Sequence, residues 1–277
     1  MKIFELFWLN ETNKDVLIGI FSSIIASILV LSLQSFVNII TFVVTKKYVL
    51  FKLWRWNNPK KLFIVSGSIN KSAEINSAIL SGLDAEAAHR LIATAHLLYP
   101  KSEIEHVYSS NSNLFSPEFY KGNIVMVGGP VNNKCSQDFL KRYDSIVKFI
   151  DDDYQYFKIK FFEKLYTPND SIDYGLIIRD INPYNCFDKS KHIIIVAGCD
   201  SFGGLAAAKV IDYYRDDTLK TQNKLFHTIN KQFFKRKNYM ALISCEKLGE
   251  TVTNISLVDF HIITKNERLG LNYEPNK

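Results

Sequence analysis

No CxxC pair, no His/Cys cluster at metal-ligand spacing, and no GxGxxG, Walker, GxSxG or HExxH motif occurs in this chain of 277 residues. The four cysteines, Cys135, Cys186, Cys199 and Cys245, lie far apart. That argues against a disulfide-built secreted scaffold or a zinc module and fits thiols kept reduced in a cytosolic domain. Without those motifs the commonest nucleotide, hydrolase and metalloprotease signatures cannot be invoked. Internal repeats and low-complexity tracts are absent too. Charge is missing in one place: no Asp, Glu, Lys or Arg appears from Val16 to Val44.

About 20 apolar residues cross a hydrocarbon core, so this run predicts a single transmembrane helix over about 16–44. The preceding "MKIFELFWLNETNKD" is net acidic and no small-residue cleavage site closes the run, so an uncleaved helix is expected rather than a signal peptide. Lys2 and Lys14 stand against Glu5, Glu11 and Asp15 before the span. Lys46, Lys47, Lys52, Arg55, Lys60 and Lys61 follow it without an acid. Positive-inside asymmetry then places the N-terminus outside and the bulk of the chain in the cytoplasm, expected at a bacterial inner membrane. Trp54 and Trp56 are expected in the headgroup layer.

The apolar run is not uniformly apolar. At roughly 100° per residue, Ser23, Ser27, Gln34, Asn38, Thr41 and Thr45 fall within a sector of about 60°. Amides facing lipid lack hydrogen-bond partners, and a lone helix has no neighbour in its own chain. The stripe therefore predicts a homo-oligomer, either glued through these side chains or lining an uncharged water path. Hydroxyls can also bond to carbonyls of their own helix, which serves Ser and Thr better than Gln34.

Beyond residue 58 the pattern becomes α/β. "KLFIVSGSI", "EIEHVYSS", "NIVMVGGP" and "KHIIIVAGCD" read as strands that alternate with helical stretches. One such stretch breaks near Gly82, with Asp84 capping its second piece. "VKFIDDD", "YFKIKFFEKLY" and "DYGLIIRDI" suggest extra antiparallel strands, and "NYMALISCE" and "TNISLVDFHIITK" close the chain. The expected organisation is residues 1–58 as membrane helix plus basic juxtamembrane segment. Residues 59–277 then form a cytoplasmic Rossmann-like or flavodoxin-like ligand-sensing domain.

Three of these strands end in small-residue loops. They supply Ser66, Gly67 and Ser68; Gly128, Gly129 and Asn132; and Gly198, Asp200, Ser201, Gly203 and Gly204. In a parallel sheet such ends share one edge, where open α/β sheets bind ligands. Glycines admit close approach, and helix N-termini offer N–H groups to phosphate. The same residues also serve purely as strand-to-helix turns. Asp200 is the best single ribose-binding or catalytic carboxylate. Asp151, Asp152 and Asp153 read as a solvated strand end, and His89 and His96 lack a third ligand. No metal and no cofactor is expected.

A basic run, residues 219–238, carries Lys220, Lys224, Lys231, Lys235, Arg236 and Lys237 with interleaved phenylalanines. Such a run can track an oligonucleotide backbone and stack bases. An amphipathic surface helix explains the same spacing and is preferred.

A striped membrane helix, a basic juxtamembrane segment and an α/β domain with a nucleotide-type edge resemble the membrane effectors of bacterial nucleotide-signalling anti-phage systems. The resemblance is to the Hailong ion-channel effectors, with those of Pycsar, CBASS and type III CRISPR systems similar in design. It is architectural and carries over no site residue. It implies an oligomeric, ion-conducting pore controlled by a nucleotide or oligonucleotide that a partner nucleotidyltransferase makes. "GGPVNN" and "AGCDSFGGLAAAK" are also similar to turns of some archaeal surface-layer repeats, which the acidic-out, basic-in flanks oppose. The alternative from another class is a membrane-anchored nucleosidase or hydrolase using the same edge; a ligand-free scaffold is a third.

Overall fold

The computed structural model describes residues 11–54, 56, 58–67, 82–110, 116–151, 157–185, 188–212 and 238–268. Contacts divide the chain into two units, Met1–Tyr48 and Val49–Lys277, a division earlier than residue 58.

Helix α1, Glu11–Trp54, exceeds the expected span at both ends. Within it Lys14–Ile40 is long and apolar enough to cross a membrane, and none of its most apolar window is buried against protein. Apart from the half-buried Leu17, the Ile, Leu, Val and Phe side chains from Val16 to Ile40 stand exposed, as a lipid-facing helix would present them. Its last turn has a different role. Leu50, Leu53 and Trp54, with Trp56 just beyond, have no exposed surface and join the core of the second unit. The Trp56 ring stacks on Tyr99 and on His192, at centroid distances of 6.2 and 6.3 Å. The buried Arg179 guanidinium donates to the Trp54 carbonyl at 2.8 Å, placing a cation where the helix dipole is negative. The two tryptophans are thus core residues and not headgroup anchors. The stretch that looks juxtamembrane in sequence is the start of the α/β core.

The second unit is mixed α/β. Its strands are β1 (Lys61–Ser66), β2 (Glu103–Tyr108), β3 (Ile124–Val127), β4 (Val147–Asp151), β5 (Phe157–Phe161), β6 (Lys164–Tyr166), β7 (Ile172–Ile181), β8 (His192–Gly198), β9 (Tyr239–Leu248) and β10 (Thr251–His261). Seven make one sheet in the order β10-β9-β7-β8-β3-β1-β2. The β8-β3-β1-β2 part is parallel, while β7 pairs antiparallel with both β8 and β9. The remaining strands form a small antiparallel sheet, β4-β5-β6. The β-rich stretch thus splits between an extension of the main sheet and a separate three-stranded piece.

Helices α2 (Gly82–Leu98), α3 (Pro117–Tyr120), α4 (Lys134–Leu140), α5 (Ser201–Ile211) and α6 (Lys265–Arg268) complete the described elements. Alternate residues of the central strands feed two cores. Leu62, Ile64, Val125, Val127, Ile194 and Val196 pack with α2, α5 and the end of α1. Val65, Ile124, Met126, Ile193, Ile195 and Ala197 pack with α4 and the small sheet. Strands buried on both faces in this way are continuously apolar, which is why "HIIIVAG" and "IVMV" read clearly as strands.

Candidate functional site

Parallel pairing of β1, β3 and β8 brings their carboxyl ends to one edge. Backbone bonds continue past the strands there: Gly67 N donates to the Val127 carbonyl and Gly128 N to the Val196 carbonyl, both at 2.9 Å. Gly128 has φ of +105°, in the left-handed region, so the turn out of β3 favours glycine. Asn133, fully buried, donates from Nδ2 to the Val65 and Val127 carbonyls at 3.0 and 2.9 Å and caps α4. It ties the first two loops together.

A cleft of about 170 Å³ lies on this edge. Gly128, Gly129 and Asn132 line it from one side, and Gly198, Asp200 and Ser201 from another. Residues beyond the predicted ligand set complete it: Asp84 from α2, Pro130, Val131, Cys199, and two rings, Phe149 of β4 and Phe157 of β5. Asp84 was legible as a helix-start carboxylate. The rings gave no signal, since only the tertiary placement of the small sheet brings them here.

The other named residues sit beside the cleft and do not line it. Ser66 is fully buried, its Oγ 2.7 Å from His106 Nε2. A serine–histidine pair without exposed serine surface offers no nucleophile to a substrate. Gly67 packs against the Asn132 backbone. Gly203 and Gly204 are buried in the first turn of α5. A Cβ on Gly203 would fall far inside contact distance of the Tyr174 carbonyl oxygen, and one on Gly198 would meet Gly204 N and Asp200 O. These glycines let α5 rest directly on β7 and β8, which is a packing role. Ser68 and the basic residues Lys220, Lys224, Lys231, Lys235, Arg236 and Lys237 lie outside the described residues, as do Cys186, Asp152 and Asp153.

Electrostatics at the cleft depart from the phosphate cradle expected of such an edge. Among the described residues no Lys or Arg lines it. Donors at the start of α5 are taken by carboxylates: Ser201 N by Asp200 Oδ1 at 2.7 Å and Gly203 N by Asp173 Oδ2 at 2.5 Å. Ser201 Oγ donates to Asp84 Oδ2 at 3.3 Å. Burial pushes the Asp173 carboxyl up to about 6, against the pull of the Gly203 and Tyr174 N–H groups. Lys247 Nζ is 3.8 Å from Asp200 Oδ2 and lies over the Phe202 ring. The helix dipole therefore already meets negative charge. Two carboxylates and two rings suit hydroxyl or amine donors on a flat molecule better than a bare phosphate.

Among the described residues no group of three or more His, Cys, Asp or Glu could hold a metal ion. His89 and His96 are exposed on α2. Cys135, Cys199 and Cys245 are buried and free. Burial raises all three thiols, Cys245 to about 12, so none is poised as a thiolate.

Comparison with protein families, with curated proteins and with solved structures finds no match to this chain.

Proposed function

We propose that the chain is a homo-oligomeric membrane effector whose α1 helices associate through their polar face and whose strand-end cleft takes the nucleoside part of a nucleotide signal. The observation that carries this is the amide face of α1. Ser23, Ser27, Gln34 and Asn38 are all exposed on a helix that could cross a membrane. Ser27 Oγ donates to the Ser23 carbonyl at 2.8 Å, so that hydroxyl is satisfied within its own helix. The carboxamides of Gln34 and Asn38 each carry two N–H donors and an acceptor oxygen, more than one carbonyl of their own helix can satisfy, and in hydrocarbon they need partners from other copies. Thr41 and Thr45 continue the helix.

The sheet supports the finer fold reading. A parallel β2-β1-β3-β8 order with helices against both faces is the arrangement of doubly wound, Rossmann-like or flavodoxin-like domains, which bind ligands beyond the strand carboxyl ends. Orientation with the domain in the cytoplasm of a bacterial inner membrane rests on the lysine asymmetry of the flanks. Ion conduction, anti-phage defence and a signal from a partner nucleotidyltransferase extend the architectural resemblance.

Full-length protein carrying Gln34→Leu and Asn38→Leu tests the helix. Assembly in lipid nanodiscs, read by native mass, and dye permeability of reconstituted vesicles should both fall to the level of empty controls. Unchanged assembly and permeation would remove the stripe from the mechanism. One observation favours a nucleotide-processing enzyme as the second reading: Asp84 and Asp200 line the same cleft, as paired carboxylates do in acid–base chemistry. Incubation with NAD and nucleoside phosphates, with product analysis, separates it from the effector.

A further inference from the structure

The opposite edge of the sheet carries a second, larger cleft. Every strand of the parallel part is entered beside a lysine: Lys60 and Lys61 at β1, Lys101 before β2, Lys121 before β3 and Lys191 before β8. Four of these lysines border a cleft of about 620 Å³, against two glutamates, Glu105 and Glu118. Phe63 and Phe119 supply its floor, their ring centroids 4.8 Å apart.

The lysines are not equivalent. Lys61 is held by Glu103 and Glu105 at 2.9 and 2.8 Å, so its charge is already answered. Lys60 and Lys121 are exposed and make no ion pair among the described residues, while the half-buried Lys191 interacts electrostatically with the half-buried Asp188 of its own loop. An apolar floor under a rim of three such ammonium groups matches an amphiphile with an anionic head. The chain itself selects among amphiphiles. β1 opens at this edge, and residues 41–60 tether it to the end of the candidate span at Ile40: residues 41–54 add about 21 Å of helix and residues 55–60 at most roughly 20 Å more, so the edge stays within about 40 Å of a bilayer that α1 crosses.

We propose that this amino-edge cleft binds the phosphate-bearing headgroup of an anionic membrane phospholipid, with Lys60, Lys121 and Lys191 as its cationic rim. The inference rests on α1 spanning a bilayer. It is independent of the ligand at the carboxyl edge and of conduction, so either can fail alone. The lysines supply a point-charge attraction to phosphate, and the phenylalanine floor covers the glycerol and first methylenes.

The test uses full-length protein in non-ionic detergent, with lipid retention read by native mass spectrometry. Dioleoyl phosphatidylglycerol should be retained at least about tenfold more strongly than dioleoyl phosphatidylcholine. The Lys60→Gln/Lys121→Gln/Lys191→Gln variant should lose that preference, while Lys134→Gln/Lys148→Gln, which removes charge elsewhere, should keep it. Circular dichroism of the triple variant should match the parent, because these lysines carry no internal contact the fold needs. Equal retention of the two lipids, or an unaltered preference in the triple variant, would overturn the proposal. Glycerol 3-phosphate that binds as tightly as phosphatidylglycerol would assign the cleft to a soluble anion and overturn it as well.

Discussion

Replacing Arg268 with alanine is expected to cost about 3–5 kcal/mol, because it strands a buried carboxylate. Asp180 on β7 has no exposed surface. Arg268 donates from Nε to both its oxygens at 2.9 Å and from Nη2 to Oδ1 at 2.6 Å, and Tyr143 adds a bond at 3.0 Å. Burial raises the Asp180 carboxyl, and Arg268 is the strongest force pulling it back. Without the arginine the carboxyl moves further up and takes a proton in the folded state. The folded form then binds more protons than the unfolded one between the unfolded value near 4 and the new folded value. Stability of the variant therefore falls as pH rises through that window. Denaturant unfolding in micelles, followed by fluorescence of the buried Trp54 and Trp56, should show a larger deficit at pH 7.5 than at pH 5. A deficit that ignores pH would mean that the lost term is packing alone.

Gly203→Ala and Gly204→Ala are expected to differ in sign. A Cβ on Gly203 meets the backbone of Tyr174, which cannot yield without moving β7. The cost should be about 3 kcal/mol or more, at the upper end for overpacking. On Gly204 the nearest atom to a Cβ is Asp84 Oδ1 at 3.7 Å, an ordinary contact. There the helix-propensity gain of up to about 1 kcal/mol decides the outcome. The same unfolding assay separates the neighbours, and equal effects would refute the close seating of α5 on β7.

These two glycines show what sequence can and cannot convey about the site. "AGCDSFGG" is legible as a strand end and a helix start. Which glycine touches a ligand and which touches the next strand depends on β7, 28 residues upstream of Gly203 by way of Gly175. The three strand-end loops were legible, since continuous apolar runs imply parallel strands, and parallel strands share an edge. Phe149 and Phe157 were not, because alternation marks a strand without saying which sheet it joins. Trp54 and Trp56 misled for a related reason. An aromatic pair after an apolar run has the composition of a headgroup belt, and only the Arg179 and Tyr99 contacts show a core. The short motif "TKNE" carries a helix-start signal of its own: Thr264 and Glu267 form a reciprocal cap that starts α6 and delivers Arg268 to Asp180.

The most direct test of the central claim is dye release from vesicles holding the full-length protein, challenged with ATP, NAD, 3′,5′-cyclic AMP, a cyclic dinucleotide and a short oligonucleotide. The account predicts release with at least one of these, and its loss in Asp84→Asn/Asp200→Asn protein that is folded and still oligomeric. Binding of such a ligand at the cleft with no change in permeability, or release that the double variant leaves intact, would contradict it.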